Sequence, residues 1–467
     1  MTDVDPQYQR GFGNEFETEA IPGALPKGQN NPLPVPLNLY TEQLSGTAFT
    51  KPRAQNLRTW MYRIRPSVSG YEGANGAPFL PWYYDDAGSN WFGGLNSDTQ
   101  NLQIDPNPKR WQVMPIEKGG VTFLEGIRTM CTSGSVEAKS GLAISMYAFT
   151  ASMTRQSLSM YNSDGDFLIV PQSKDLKIQT ELGILHVHMG EIVVIPRGVV
   201  FAVDALDTES KLESRDEGVA RGYILEIFKG RFELPDLGPI GSNGLANARD
   251  FECPVAYFDT ENTERIDFTV VNKFCNKLFK RSQNHSPFNV VAWHGNYVPF
   301  KYDLSKFCCI NSVTYDHPDP SIYTVLTAKS DDPGTALADF VVFPPRWMVM
   351  ENSFRPPWFH RNCMAEFMGM IYGSYDAKSA ADFGPGCASL HNVMTPHGPD
   401  RQTVMKETDR GSREDIINEP LKFSGGLAFM FETSLILKLT PYAAEASHLD
   451  VNYTDCWNDI PDLFQHE

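Results

Sequence analysis

No stretch of this chain is apolar for the length a membrane span requires; runs such as EIVVIP have the length of core strands. The N-terminal residues MTDVDPQYQRGFGNEFE contain no basic segment followed by an apolar one, so no secretory leader is expected. Eight cysteines, with Cys308 and Cys309 adjacent, form no CxxC pair and no disulfide-framework spacing, and reduced thiols in a cytoplasmic protein are expected. Positive charge is scarce: 40 Lys and Arg stand against 57 Asp and Glu, for a net charge of −17. Such a surface repels phosphate backbones and anionic lipid, which excludes nucleic acid and membranes as expected partners. It also repels a carboxylate at long range, so an acidic ligand requires a local arginine. A Walker loop, a GxGxxG after a strand and a GxSxG are all missing, which leaves nucleotide and serine-hydrolase chemistry without a motif.

What is present points to β structure. The length of 467 residues exceeds one small domain. An aromatic share of 12%, with 36 Gly and 33 Pro, suits a turn-rich β architecture better than a helical bundle. Residues 1–58, with IPGALPKGQNNPLPVPLNLY, read as an extended arm. From Thr59 onwards short apolar runs alternate with turn signals (TWMYRIRP, LAISMYAF, DFLIVPQ, VVFAVDAL), the grammar of a β-sandwich or barrel. The charged stretch from Asp207 to Arg221 reads as an exposed excursion. A second strand set runs from FNVVAWHGNYVPF to GLAFMFETSLILKL, so a boundary near residue 300 divides 59–300 from 301–467. Beyond Tyr442 the chain reads as short peripheral helix mixed with acidic polar residues.

Two histidine constellations stand out. His186 and His188 form an HxH on a strand, and the following G-E-x4-P-x-G turn is similar to the second signature of a cupin barrel. Phe201 stands where that signature places a third histidine, so this pair reads as a metal-free cupin-like strand pair. Residues 285–397 carry six of the ten histidines. Within this stretch, His360, Glu366 and His397 have the composition of a facial triad, which holds Fe(II) on one side and leaves positions open for substrate and dioxygen. His360 and Glu366 are six apart, so an extended segment projects both to one face and a helix does not. Taken singly, each histidine reads better as a hydrogen-bonded core imidazole; taken together, with the buried carboxylate beside them, iron becomes the better reading. His317, between Asp316 and Asp319, suits a proton shuttle or, equally, a turn residue held by two prolines. Tyr375 is placed to aim a phenol at bound substrate, or to pack in the core. His294 reads as structural and His391 as a donor behind a ligand.

Over nearly its whole length the chain resembles the homogentisate 1,2-dioxygenase family. The resemblance lies in YQRGFGNEFETEAIPGALPKGQNNP and AFTKPRAQNLRTWMYRIRPSV near the start. It continues in SPFNVVAWHGNY, DHPDPSIYTVLTAKS, FRPPWFHRNCMAEFMGMI and SLHNVMTPHGPD. It implies an all-β, bicupin-like (jelly-roll β-sandwich) chain that assembles as a homohexamer, a dimer of trimers. It implies His360, Glu366 and His397 as iron ligands, His317 as the residue that moves protons, and Tyr375 as a contact to substrate beside His397. The implied reaction is Fe(II)-dependent cleavage of homogentisate by O2 to 4-maleylacetoacetate, in tyrosine and phenylalanine catabolism. Because the substrate carries an acetate, Arg361 or Arg355 is expected to clamp its carboxylate, with Asn362 as a further donor. The ADFGPGCAS stretch departs from the more glycine-rich form expected there, which leaves loop geometry open. Two rival readings remain: a cupin dioxygenase for another hydroquinone acid such as gentisate, and a non-enzymatic, metal-free bicupin binding protein.

Overall fold

A computed structural model of the chain describes residues 6–70, 78–83, 101–116, 119–206, 218–236, 246–260, 267–317, 322–379 and 382–465. Among the described residues the chain is built of β-sheets with only short helices, and it divides into two compact units. The first comprises Met1–Leu102, Ile116–Arg231 and Asn247–Asp303; the second comprises Gln103–Pro115, Phe232–Ala246 and Leu304–Glu467. Most of the charged excursion after Asp207 lies outside the described residues. Among the described residues no helix is long and apolar enough to cross a membrane.

The first unit is a sandwich. One sheet runs through Phe251–Pro254, Phe300–Asp303, Glu191–Ile195, Asp166–Ser173, Ala220–Ile227, Ser140–Phe149 and Ile127–Ser135. The other runs through Gly183–Val187, Leu176–Thr180, Phe201–Ala205, Leu158–Asn162, Phe268–Phe274 and Lys277–Gln283. Alternate residues supply the shared core, as a pleated strand requires. Phe167, Ile169, Val193 and Ile195 from the first sheet pack with Met160, Ile178, Phe201 and Val203 from the second. The N-terminal arm contributes strands here: Phe16–Glu19 pairs with Val290–Gly295, which also pairs with Arg58–Arg63. An ion cluster is buried in this unit. Lys273 is wholly buried, with its Nζ 2.6 Å from Asp164 and 2.8 Å from Glu226.

The second unit is built on a six-stranded antiparallel sheet. Its order is Thr324–Lys329, Ala336–Phe343, Gly426–Thr433, Ala365–Gly373, Ala388–His391, Lys109–Trp111. The strands Gly426–Thr433 and Ala365–Gly373 are interior to the sheet and almost wholly buried. Such strands read as continuous apolar runs, and AFMF and FMGMI do so. A polar side chain in this setting requires partners. The C-terminal residues add a four-residue helix at Pro441–Ala444 and a 3-10 turn at Tyr453–Trp457.

The buried cluster gives a stability test. Lys273→Met leaves two carboxylates buried without their cation, and removing one partner of such a set costs about 3–5 kcal/mol. The urea midpoint of the full chain is expected to fall accordingly; a loss of under about 1 kcal/mol would show that the cluster is solvated.

Candidate metal centre

Glu366 stands near the start of the interior strand Ala365–Gly373. Its neighbours across the ladder are Glu432 on one side and His391 on the other. The chain does not reach His360 as one continuous strand, because Cys363 and Met364 form a bend. His360 instead forms an isolated antiparallel bridge with His397. The His360 N–H donates to the His397 carbonyl at 2.9 Å, and the His397 N–H donates back at 3.1 Å. Gly398 makes this approach possible: a Cβ there would lie 2.5 Å from Phe359 Cδ1 and 2.9 Å from its Cα.

The two histidines repeat one local geometry. His360 Nδ1 lies 2.8 Å from the carbonyl of Trp358, and His397 Nδ1 lies 2.9 Å from the carbonyl of Thr395. A carbonyl only accepts, so each Nδ1 carries a proton and, in the neutral ring, each Nε2 presents a lone pair. Those Nε2 atoms face Glu366, at 3.4 Å from Oε1 for His360 and 3.0 Å from Oε2 for His397. Two lone pairs and a carboxylate thus converge, with ligand atoms all within 4.8 Å of one another. Without a cation among them this arrangement is repulsive, so the donor set fits a metal with two imidazoles and one carboxylate.

The surrounding electrostatics agree. Without a cation the two imidazoles can instead take up a proton at Nε2 and donate: burial alone would raise the Glu366 carboxyl, but hydrogen bonds from His360, His397 and Asn362 outweigh it and hold the group well below the usual carboxylate range. The same hydrogen bond to Glu366 raises His360 above its ordinary value. Asn362 sits between two acids: its amide nitrogen donates to Glu366 Oε1 at 3.0 Å and to Glu432 Oε1 at 3.0 Å. Glu432 is pushed up to about 7, first by burial and then by the charge of Glu366. Behind the ligands, His391 stacks flat on His397, with centroids 4.0 Å apart and planes at 6°. Its Nε2 lies 2.7 Å from the Tyr453 hydroxyl.

The three residues open onto a cavity of about 460 Å³. This volume is ordinary for a small-ligand site. Tyr375 and His317 both line it. Tyr375 is buried against Phe343, and burial pushes its phenol well above the ordinary value. His317 is exposed; Asp316 beside it bonds Ser353, and Asp319 lies outside the described residues. Arg355 lines the cavity, but its guanidinium donates to the carbonyls of Met350, Glu419 and Ile417. Arg361 is exposed and lines a neighbouring surface pocket with Phe359, Pro396 and Trp457. Four further residues escaped the sequence reading: Arg346, paired with Asp376; Lys378; Glu432; and Tyr453. Only the nearness of Lys378 to Tyr375 in YDAKSA offered a signal.

The first constellation is arranged otherwise. His188 is exposed and its Nδ1 lies 2.8 Å from Asp175, whose hydrogen bond raises it, while His186 donates its backbone N–H to the Tyr8 hydroxyl. Phe201 is fully buried in the sandwich core. His294 stacks on Tyr62 within its sheet.

The Asn362 bridge yields a prediction. Partners that orient a ligand typically contribute 10–100-fold to metal affinity. Asn362→Ala is therefore expected to weaken metal binding by about 10–100-fold in chelator competition; unchanged affinity would show that the sheet alone orients Glu366.

Comparison with known proteins bears on the whole chain. The N-terminal homogentisate 1,2-dioxygenase family model matches residues 7–304 and the C-terminal model matches residues 305–464. Homogentisate 1,2-dioxygenase of Dictyostelium discoideum is 51% identical over 463 residues, covering 99% of each chain. The Homo sapiens protein of the same name is 48% identical over 464 residues, covering 98% of this chain and 97% of its own. With residues 7–464 matched by the two family models and relatives about half identical over the whole length, the chain belongs to the homogentisate 1,2-dioxygenase family.

Proposed function

We propose that this chain holds Fe(II) through His360, Glu366 and His397 and uses dioxygen to cleave the ring of homogentisate, giving 4-maleylacetoacetate in tyrosine and phenylalanine breakdown. The observation that carries the reading is the convergence of two imidazole nitrogens and one carboxylate, with ligand atoms all within 4.8 Å of one another, beside a cavity large enough for one aromatic ring. When bound, Fe(II) supplies Lewis acidity toward a ring hydroxyl and a route past the spin barrier that separates triplet dioxygen from organic molecules.

The protein's own residues do the rest. His397 and Glu366 are nearly buried and braced by the sheet, so the ring oxygen is presented in one orientation. His317 is exposed on the cavity wall, so its imidazole can take the phenolic proton and exchange it with water. Tyr375 stays protonated, because burial raises its phenol, and so serves as a donor to a substrate oxygen. None of the eight cysteines is disulfide-bonded, which supports a reducing, cytoplasmic setting. A hexamer built as a dimer of trimers is part of the same proposal, and light scattering should then read about six protomer masses.

The deciding assay loads the protein with ferrous iron under argon, then admits homogentisate and air. Oxygen uptake with homogentisate well above that with gentisate or catechol is expected, and preference for gentisate would overturn the substrate assignment. His317→Ala should keep its iron and lose about 10²–10⁴-fold in kcat, the usual scale of a general base; normal turnover would remove the proton role.

A further inference from the structure

An acidic substrate entering a cavity in a chain of net charge −17 must find a cation there. The cationic side chains on the wall of this cavity are Arg346, Arg355 and Lys378, together with the titratable His317. Arg346 is already paired with Asp376. Arg355 spends its donors on three backbone carbonyls. Lys378 differs. It is only 7% exposed, its one hydrogen bond is to Ser389 Oγ at 3.3 Å, and its remaining contacts are the faces of Phe383 and Tyr453 at 4.7 and 5.3 Å. Among the described residues no carboxylate forms an ion pair with it. A buried ammonium without a counter-ion is unfavourable, and burial pulls it down to about 7.

The register of the sheet says where this group stands. Ser389 and His391 are two apart on the strand Ala388–His391, so both side chains lie on one face. His391 is directly opposite Glu366. Ser389 is therefore a diagonal neighbour of the metal-ligating Glu366, at about 7–8 Å between Cα atoms. The Lys378 ammonium is held beside Ser389, and the adjoining His391 Nδ1, in a residue 1% exposed, has no hydrogen-bond partner among the described residues. A cation lacking its anion and an orphan imidazole nitrogen thus lie on the same sheet face as Glu366, along the wall of the cavity onto which the triad opens.

We propose that Lys378, steadied by Ser389 and assisted by His391 Nδ1, is the carboxylate-recognition point of this cavity and sets its selectivity for ring acids over uncharged hydroquinones. This rests on the proposed metal-side binding of the ring. No covalent step is involved: the substrate anion supplies the missing counter-charge, and the pair forms a charge-assisted hydrogen bond. The alternative clamp at Arg361 is exposed on the wall of the neighbouring pocket.

The test measures binding under argon by calorimetry, on protein loaded with ferrous iron, for homogentisate and for methylhydroquinone, which lacks the carboxylate. In Lys378→Met the homogentisate Kd is expected to rise about 10–100-fold, the scale of one lost charge-assisted bond. The methylhydroquinone Kd is expected to stay within about 2-fold, so the preference for the acid collapses. Ser389→Ala should shift the same ratio in the same direction by a smaller factor, which keeps the idea testable if Lys378→Met does not fold. Equal loss for both ligands, no change in the ratio, or collapse of the ratio in Arg361→Ala instead would each overturn the assignment. If the unaltered protein binds homogentisate but does not cleave it, the proposed reaction fails while this recognition point stands.

Discussion

The candidate centre depends on two backbone hydrogen bonds. By bridging His360 to His397, they set side by side two ligands that arrive from different parts of the chain. Both residues also make the same ring-to-carbonyl contact, which leaves both Nε2 atoms facing Glu366. Glu366 comes from the interior of a sheet and completes the set from a position that packing does not allow to move. Three electron-rich atoms held this close have no stable arrangement except around a positive charge.

Around that charge the acids and bases are sorted by their neighbours. Glu366 is held ionised by three donors, while Glu432, one strand away and sharing Asn362 with it, is driven towards its neutral form. The same amide thus serves one charged and one largely neutral carboxyl, and like charges need not coexist across the ladder. His391, stacked on His397 and bonded to Tyr453, is kept neutral by burial first and by the nearby lysine next. Long-range attraction of an acid is not available to so acidic a chain, so recognition falls to groups inside the cavity.

Much of this was legible from residues alone. The strand pattern announced an all-β chain, because period-2 burial and turn residues leave a local signature. The grouping of His360, Glu366 and His397 was legible because the residue types that suit a metal are few and restrictive, and the structure brings these three together. The spacing argument reached the right convergence by the wrong path: His360 and Glu366 meet across a bend rather than along one strand. Asn362 was read as a donor to substrate, whereas its amide is engaged by two carboxylates that only the tertiary register brings together. Lys378 and Tyr453 were invisible for a related reason. A lysine is exposed by default, and nothing local marks one enclosed by aromatic rings; Tyr453 lies in an acidic tail that folds back 62 residues to reach His391.

The convergence of ligands has a consequence for the lifetime of the protein. Glu366 and His397 are separated by 31 residues that include a full strand of the sheet. An unfolded chain holds these groups far apart and so has little affinity for the ion. A ligand that binds only the native state stabilises it by about 2.7 kcal/mol at a hundredfold excess over its Kd. Metal supply would then govern how long each molecule survives, and starvation for the metal would appear as faster clearance by cellular proteases.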